Sequence, residues 1–203
     1  LLHHALLPRA QYMAWGAAAA PVAQTEFALV AAALALYFAR VQGLSEVVIG
    51  VPALNRSGRA HRAAIGMYVG VLPLRIPVDP AQSGQQLMAT VGRQLRRAMR
   101  HARYPMSALA RDLQLMRAGR DAPFDLLLSF ERQDYELRYG AAQLLAARQR
   151  FAGFARYPLS LTVCDFGAAR DIELVFEGSR AHLEPRELDL LARRLRGLFK
   201  RLA

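Results

Sequence analysis

Apolar residues along this chain recur with two different periods, and the alternation between the periods lays out its elements. Phe27, Val30, Ala31, Leu34, Tyr37, Phe38 and Val41 fall at three- and four-residue steps. That is one face of a helix over Gln24–Gln42, with Gly43 as its terminator. Val47–Val51 is an uninterrupted apolar run between Glu46 and Pro52 and reads as a buried strand. The polar, basic stretch Asn55–Ala63 reads as a loop, and Ile65–Ile76 as an extended segment closed by Pro77 and Pro80. Helical spacing returns over Gln82–His101, where Leu87, Met88, Val91, Leu95, Ala98 and Met99 make the stripe. Arg93, Arg96, Arg97, Arg100 and Arg103 lie largely outside it. Tyr104-Pro105 ends this helix, Ser107–Leu115 predicts a short one, and Arg117–Pro123 a loop.

Phe124–Phe130 is apolar enough for a strand buried on both faces. Leu159, Leu161 and Val163 alternate with Ser160, Thr162 and Cys164, and Ile172, Leu174 and Phe176 with Glu173 and Glu177. The two runs predict an antiparallel pair joined near Gly167. Glu184-Pro185 opens a last helix with proline in its first turn. Its stripe is Leu188, Leu191, Leu195, Leu198 and Leu202, and Arg196, Lys200 and Arg201 sit where the helix dipole favours cations. Residues 1–23, rich in alanine and broken at Pro21, read as an irregular lead-in or linker. Asp134–Arg156 carries mixed signals, with extended pieces near Tyr139 and a loop near Gly153. The sum is one domain over residues 24–203, an α/β sandwich with a mixed sheet rather than a βαβ dinucleotide fold.

Composition narrows this further. At 203 residues, 54% hydrophobic and 21% charged, the chain supports a substantial core and is not disordered as a whole. The apolar run between Glu26 and Arg40 holds thirteen residues. A membrane span needs about 20, so a buried helix is expected and no membrane partner. No cationic lead and apolar core of signal-peptide length opens the chain. The lone Cys164 cannot form an internal disulfide, which suits a reducing cytoplasm. The formal charge of +11 has three readings: nucleic-acid binding, docking of an acidic protein, or an arginine-rich composition. Only Lys200 among the 27 basic residues is a lysine, which favours composition. No recognition-helix, zinc-finger or aromatic RNA-binding signature supports nucleic acid.

The chemistry-bearing stretches are Gly50–Arg56 (GVPALNR) and Ile65–Arg75 (IGMYVGVLPLR). Glycines within extended segments mark bulges or close approach of another group. Asn55 suits unusual backbone angles. No G-x-S-x-G elbow, phosphate-binding glycine loop or His/Cys spacing for a metal is present in the sequence. Asp121 and Asp125 have no acid–base context, and Cys164, in an apolar strand, is expected to be inert.

In order along the chain, these motifs resemble the C-terminal half of a nonribosomal peptide synthetase condensation domain. Val48–Arg56 is similar to its V-x-G-x-P-x-x-N-R stretch and Ile65–Arg75 to I-G-x-F-V-N-T-x-x-x-R. His101–Pro105 resembles H-Q-x-Y-P, Phe124–Glu131 the strand ending in F-S-x-x, and Tyr157–Val163 the strand Y-P-L-x-L-T-V. The resemblance spans Phe27 to Ala203. It implies a chloramphenicol-acetyltransferase-like sandwich, a mixed sheet with flanking helices, forming one half of a two-lobed domain.

The family's H-H-x-x-x-D-G motif belongs to the other half. His3-His4 is followed by ALLPR, without the aspartate or the glycine, so no catalytic residue is assigned. Gly70 stands where the family commonly has asparagine and Ala102 where it has glutamine. The first of these departures points toward a starter-like subtype with an acyl donor.

What the resemblance implies is amide formation between a carrier-bound acyl donor and a carrier-bound amino acid inside a tunnel. This half would supply tunnel wall, from Tyr68, Gly70, Arg75 and Ser129, and a docking surface for acidic carrier proteins. Pro52, Asn55, Arg56, Gly66, Tyr104 and Pro105 would be structural. Phosphopantetheine would arrive on the carriers, so no cofactor or metal is expected of this chain, and its other partner would be the N-terminal half. A non-catalytic carrier-docking module, and an epimerisation or heterocyclisation relative of the same fold, remain as alternatives.

Overall fold

The period-two and period-3.6 segments separate into the two layers of an α/β fold. The computed structural model describes residues 1–56, 58–132, 138–143, 152–167 and 170–202. Along it run β1 (Leu2–Leu7), α1 (Arg9–Ala19), a 3-10 turn (Ala20–Val22), α2 (Glu26–Gln42), β2 (Glu46–Ala53), α3 (Gly58–Ala63) and β3 (Gly70–Pro77). Then come α4 (Gly84–Met99), α5 (Met106–Asp112), a second 3-10 turn (Leu115–Ala118) and β4 (Leu126–Arg132). The short strands β5 (Arg138–Tyr139) and β6 (Ala142–Gln143) pair with each other, and β7 (Leu159–Asp165), β8 (Ile172–Gly178) and α6 (Pro185–Leu202) complete the chain.

Six strands form one sheet in the order β1-β8-β7-β4-β2-β3. The central three, β7, β4 and β2, are parallel, and the outer pairings are antiparallel. Alternation fixes the faces: Ile49 and Val51, Leu126 and Leu128, Leu161 and Val163, Leu174 and Phe176 pack toward the helices in one continuous core. Helix α2 lies at its centre, with Ala28 through Ala35 all buried and α1, α4, α6 and β2 around it. A run of small side chains lets neighbours close on every side at native density. Gly43, at φ 67°, ends α2 as predicted. Ser83 and Gln86 cap α4 reciprocally, each side chain bonding the other's backbone N–H. Among the described residues no single helix is long and apolar enough to cross a membrane.

Three expectations are corrected. Residues 1–23 are not an irregular lead-in: β1 pairs with β8 from Leu2↔Glu177 to Leu7↔Ile172, and α1 buries Tyr12 and Trp15. Pairing with a distant strand, not a local pattern, makes β1. The loop expected over Asn55–Ala63 contains α3. The extended segment expected from Ile65 forms a strand only from Gly70, because the chain turns at Gly66, where φ is 151°. Of the ambiguous stretch 134–156, Tyr139 lies in β5 and Gly153 at positive φ, while residues 134–137 and 144–151 lie outside the described residues.

Candidate functional site

Strands β2 and β4 pair at only two positions, Ile49↔Leu126 and Gly50↔Leu127. Beyond them β4 stays with β7 through Arg132↔Asp165, while β2 stays with β3 through Ala53↔Gly70. The sheet therefore splits at the carboxyl ends of its parallel strands, the place where open α/β sheets bind ligands. Two residues of GVPALNR fit the split. Gly50 carries the Phe124 ring against its backbone, where a Cβ would overlap it. Pro52, just past the last β2–β4 pair, has no N–H to offer a neighbour.

A cleft of about 870 Å³ fills the split, between the residues 51–56 and 128–132, with Phe27 of α2 and Leu95 and Met99 of α4 as its apolar side. Ser129 stands on its wall, half-buried, with Thr162 as its cross-strand neighbour. Glu131 lines it too, and burial, then the charge of Glu177, pushes its carboxyl above the usual range.

Each wall is braced. On the β2 side Asn55 adopts a left-handed conformation, φ 52°, and its Nδ2 donates to the Ala102 carbonyl at 3.0 Å. The carboxamide occupies the space a side chain at position 70 would need, since a Cβ on Gly70 would lie 2.9 Å from that nitrogen. Arg56 holds the turn that follows: Nη1 donates to the carbonyls of His61 (2.7 Å) and Ala64 (2.6 Å), and Nη2 to that of Gly66 (2.7 Å). Its guanidinium also lies 4.6 Å from the centre of the Tyr68 ring.

On the β4 side Arg132, which lines the cleft, meets Asp165 at 3.2 Å, and Arg9 meets the other oxygen of that carboxylate at 2.8 Å. Burial alone would raise the Asp165 carboxyl, but the hydrogen bond and charge of Arg9, then Arg132, hold it below its ordinary value.

The residues singled out in sequence do not all meet here. Ser129, Pro52, Asn55 and Arg56 line the cleft, and Gly70 backs Asn55. Tyr68 is half-buried between Arg56 and His61. Arg75 is exposed and ion-paired to Glu46 at 2.7 Å, along a separate groove of about 450 Å³ at the β3 edge. Tyr104, whose hydroxyl donates to Asp112, lines that second groove, and Pro105 stands at the start of α5. His3 and His4 face opposite sides of β1, His3 bonded to Asp189 and His4 to Glu173, so they cannot address one substrate together.

Arg9, Arg132 and Asp165 were not foreseen. A charged residue closing the otherwise half-apolar run Leu159–Asp165 was the available signal. Among the described residues no cluster of His, Cys, Asp or Glu has the makings of a metal site. The cleft offers the Ser129 hydroxyl, the Asn55 carboxamide, the Glu131 carboxylate and the guanidinium groups of Arg56, Arg100, Arg103 and Arg132 beside the apolar side formed by Phe27, Leu95 and Met99.

Comparison with known proteins agrees with this architecture. The condensation-domain family profile matches residues 17–201. The dimodular nonribosomal peptide synthase of Bacillus subtilis (strain 168) is 33% identical over 116 residues, 57% of this chain and 5% of that protein. A variant of the starter condensation domain of rhizomide synthetase, solved in complex with C8-CoA and Leu-SNAC, superposes with a TM-score of 0.79 at 25% identity, covering all of this chain and 44% of the other. The first condensation domain of the CDA synthetase superposes at 0.77 and 22% identity, again with all of this chain and 45% of its own. The mixed sheet with flanking helices is thus the chloramphenicol-acetyltransferase-like fold of those domains, and the chain spans under half the length of each. A split sheet with a braced cleft, a family match over residues 17–201 and this shared fold lead to one conclusion: the chain belongs to the condensation-domain family.

Proposed function

We propose that this chain is the C-terminal half of a nonribosomal peptide synthetase condensation domain and supplies one wall of its reaction tunnel. The observation that carries the reading is the cleft at the split between β2 and β4, in a chain that matches solved condensation domains over its whole length. In the reaction the acceptor amine attacks the donor's thioester carbonyl. The C–N bond forms, the C–S bond breaks, and the amine's proton passes to the departing carrier thiol.

Positioning two tethered reactants supplies much of such a rate. Ser129, on the cleft wall, would orient an amide group of a pantetheine arm, while Asn55 braces the turn beside it. Both arms arrive on carrier proteins, for which the +11 charge offers electrostatic steering if those partners are acidic. The N-terminal half would contribute the histidines. The assembly is assigned to the cytoplasm, where the single buried thiol Cys164 stays reduced.

Gly70 favours an acyl over a peptidyl donor. The test is to supply the intact polypeptide with acyl- and aminoacyl-loaded carriers and detect the amide by mass spectrometry. Product is expected from the intact protein, and Ser129→Ala should raise KM more than it lowers kcat. Carrier binding without product would favour the docking-module alternative.

A further inference from the structure

We propose that the cleft selects a reactant carrying a carboxylate on an apolar stem, and that the guanidinium groups of Arg100 and Arg132 receive that carboxylate. This rests on the reading of the cleft as one wall of a condensation tunnel and names the class of substrate it takes. Among the described residues, Arg56, Arg100, Arg103 and Arg132 line the cleft beside a single carboxylate, that of Glu131.

The positive charge is not neutralised within the cleft. Arg56 directs its donors to three backbone carbonyls and its face to the Tyr68 ring, none of which is charged. Arg132 reaches Asp165 through Nε at 3.2 Å, but Arg9 already meets that carboxylate at 2.8 Å, so two guanidinium groups share one negative charge. Of the two, Arg132 is the accessible one, its side chain 74% exposed against 23% for Arg9. Arg100 caps the C-terminal end of α4, is exposed, and among the described residues has no carboxylate partner. Glu131 is not the missing counter-ion. Burial and the charge of Glu177 act on its carboxyl and both raise it, whereas an adjacent guanidinium would lower it.

The walls define the occupant. Phe27, Leu95 and Met99 make one side apolar, and about 870 Å³ has room for an acyl or aminoacyl group. A short aliphatic stem laid on that side presents its terminal carboxylate to the arginines. A guanidinium fork matches the two oxygens of a carboxylate and stays charged at every working pH. A neutral stem of the same shape would desolvate the guanidinium groups without pairing them, and that cost rejects it. Two reactants can bring this chemistry: an acceptor with a glutamate-like side chain, or a donor acyl group that ends in a carboxylate.

The experiment uses the intact native polypeptide carrying this chain and measures equilibrium binding of stable pantetheine-linked amides. One pair of probes bears a glutamyl or a glutaminyl group, the other an octanedioyl group whose free end is a carboxylate or a primary amide. In one pair the carboxylate probe is expected to bind about 10–100-fold more tightly than its amide counterpart. The pair that shows the preference tells whether acceptor or donor carries the charge. Arg100→Gln and Arg132→Gln should each lower the preference about 10-fold while binding of the amide probe is unchanged. Arg132→Lys, which can still pair with Asp165, should retain part of it, and Arg96→Gln, on the exposed face of the same helix, should alter neither probe.

Equal binding within both pairs overturns the proposal, and so does a preference that survives Arg100→Gln combined with Arg132→Gln. A phosphate on the pantetheine arm is a second anion these arginines could meet. If the arginine variants weaken the phosphorylated amide probe as much as the carboxylate probe, the arginines serve the arm and the proposal fails. Amide formation from loaded carriers tests the functional reading separately. Absence of product refutes that reading, and the binding ratios still decide the selectivity.

Discussion

Gly70 and Asn55 share one volume, so the effect of enlarging residue 70 should change sign with the size of residue 55. A methyl at position 70 would lie 2.9 Å from Asn55 Nδ2, inside normal contact. To admit it, Asn55 must leave the Ala102 carbonyl, which it reaches at 3.0 Å. Losing that bond costs about 1 kcal/mol, and more if the carbonyl finds no other donor. On the other side, replacing a strand glycine by alanine stabilises by about 0.5–1 kcal/mol through the backbone. Gly70→Ala is therefore expected to range from neutral to about 1 kcal/mol destabilising. Asn55→Gly removes the carboxamide while keeping the left-handed backbone at φ 52°, which glycine adopts freely. In that background the new methyl meets only the Ala102 oxygen, at 4.0 Å, an ordinary contact. There Gly70→Ala should stabilise by about 0.5–1 kcal/mol, giving a coupling of about 1–2 kcal/mol over the cycle. Urea unfolding followed by the fluorescence of Trp15, the only tryptophan and fully buried, measures all four proteins. If Gly70→Ala stabilises both backgrounds equally, the two side chains do not compete and this account of the cleft wall is wrong.

Two titrations probe the rest of the site. Asp165, held below its ordinary value by Arg9 and Arg132 against the effect of burial, stabilises the fold above the unfolded carboxylate range near pH ~4 and loses that contribution as pH falls through its folded value. Asp165→Asn should therefore be less stable than the parent at pH 7 and converge with it toward pH ~2; a constant gap across that range would refute the pairing. Burial, then the charges of Glu131 and Glu173, pushes the Cys164 thiol up to about 12. Folded Cys164 should resist iodoacetamide at pH 8 and react on unfolding, and stability should fall between pH ~8.5 and ~12, where only the unfolded thiol ionises. Equal alkylation rates in the folded and unfolded chain would place the thiol at the surface.

Elements whose burial follows a local period were legible in sequence. Helix α2 announced itself through apolar steps ending at Gly43, and β7 and β8 through alternation on either side of Gly167, although Ala28–Ala35 of α2 and every position of β7 are buried. Strand β1 did not, since LHHALL has no clean alternation and extends only because β8 offers it an edge. Helix α1 was hidden for a related reason. Alanines make up nearly half of it, and only Tyr12, Trp15 and Ala19 carry the buried face. The motif GVPALNR placed the cleft's neighbourhood, but not the cleft. That feature comes from two strands parting after Gly50 and Leu127, a relation between residues 77 positions apart that no local pattern expresses.

The same long-range logic explains why the first residues belong to the site at all. Arg132 ends β4 on the cleft wall, and its partner Asp165 ends β7 beside it. Two guanidinium groups share that carboxylate, and the second, Arg9, opens α1. Arg9 also donates to the carbonyls of Gly167 and Arg170, and its backbone N–H to Asp171, so α1 begins clamped onto the β7–β8 turn. An ion pair of this kind is worth little in open water, but Asp165 is buried and carries a guanidinium on each oxygen, which is when geometry rather than charge decides its value. With β2 free to diverge, β4 is held along its edge by β7 and this clamp, and on its face by core contacts such as Phe130 against Phe27. Residues 1–23 are in this sense part of the cleft: through Arg9 they fix the wall that carries Ser129, while Arg56 braces the turn on the other wall.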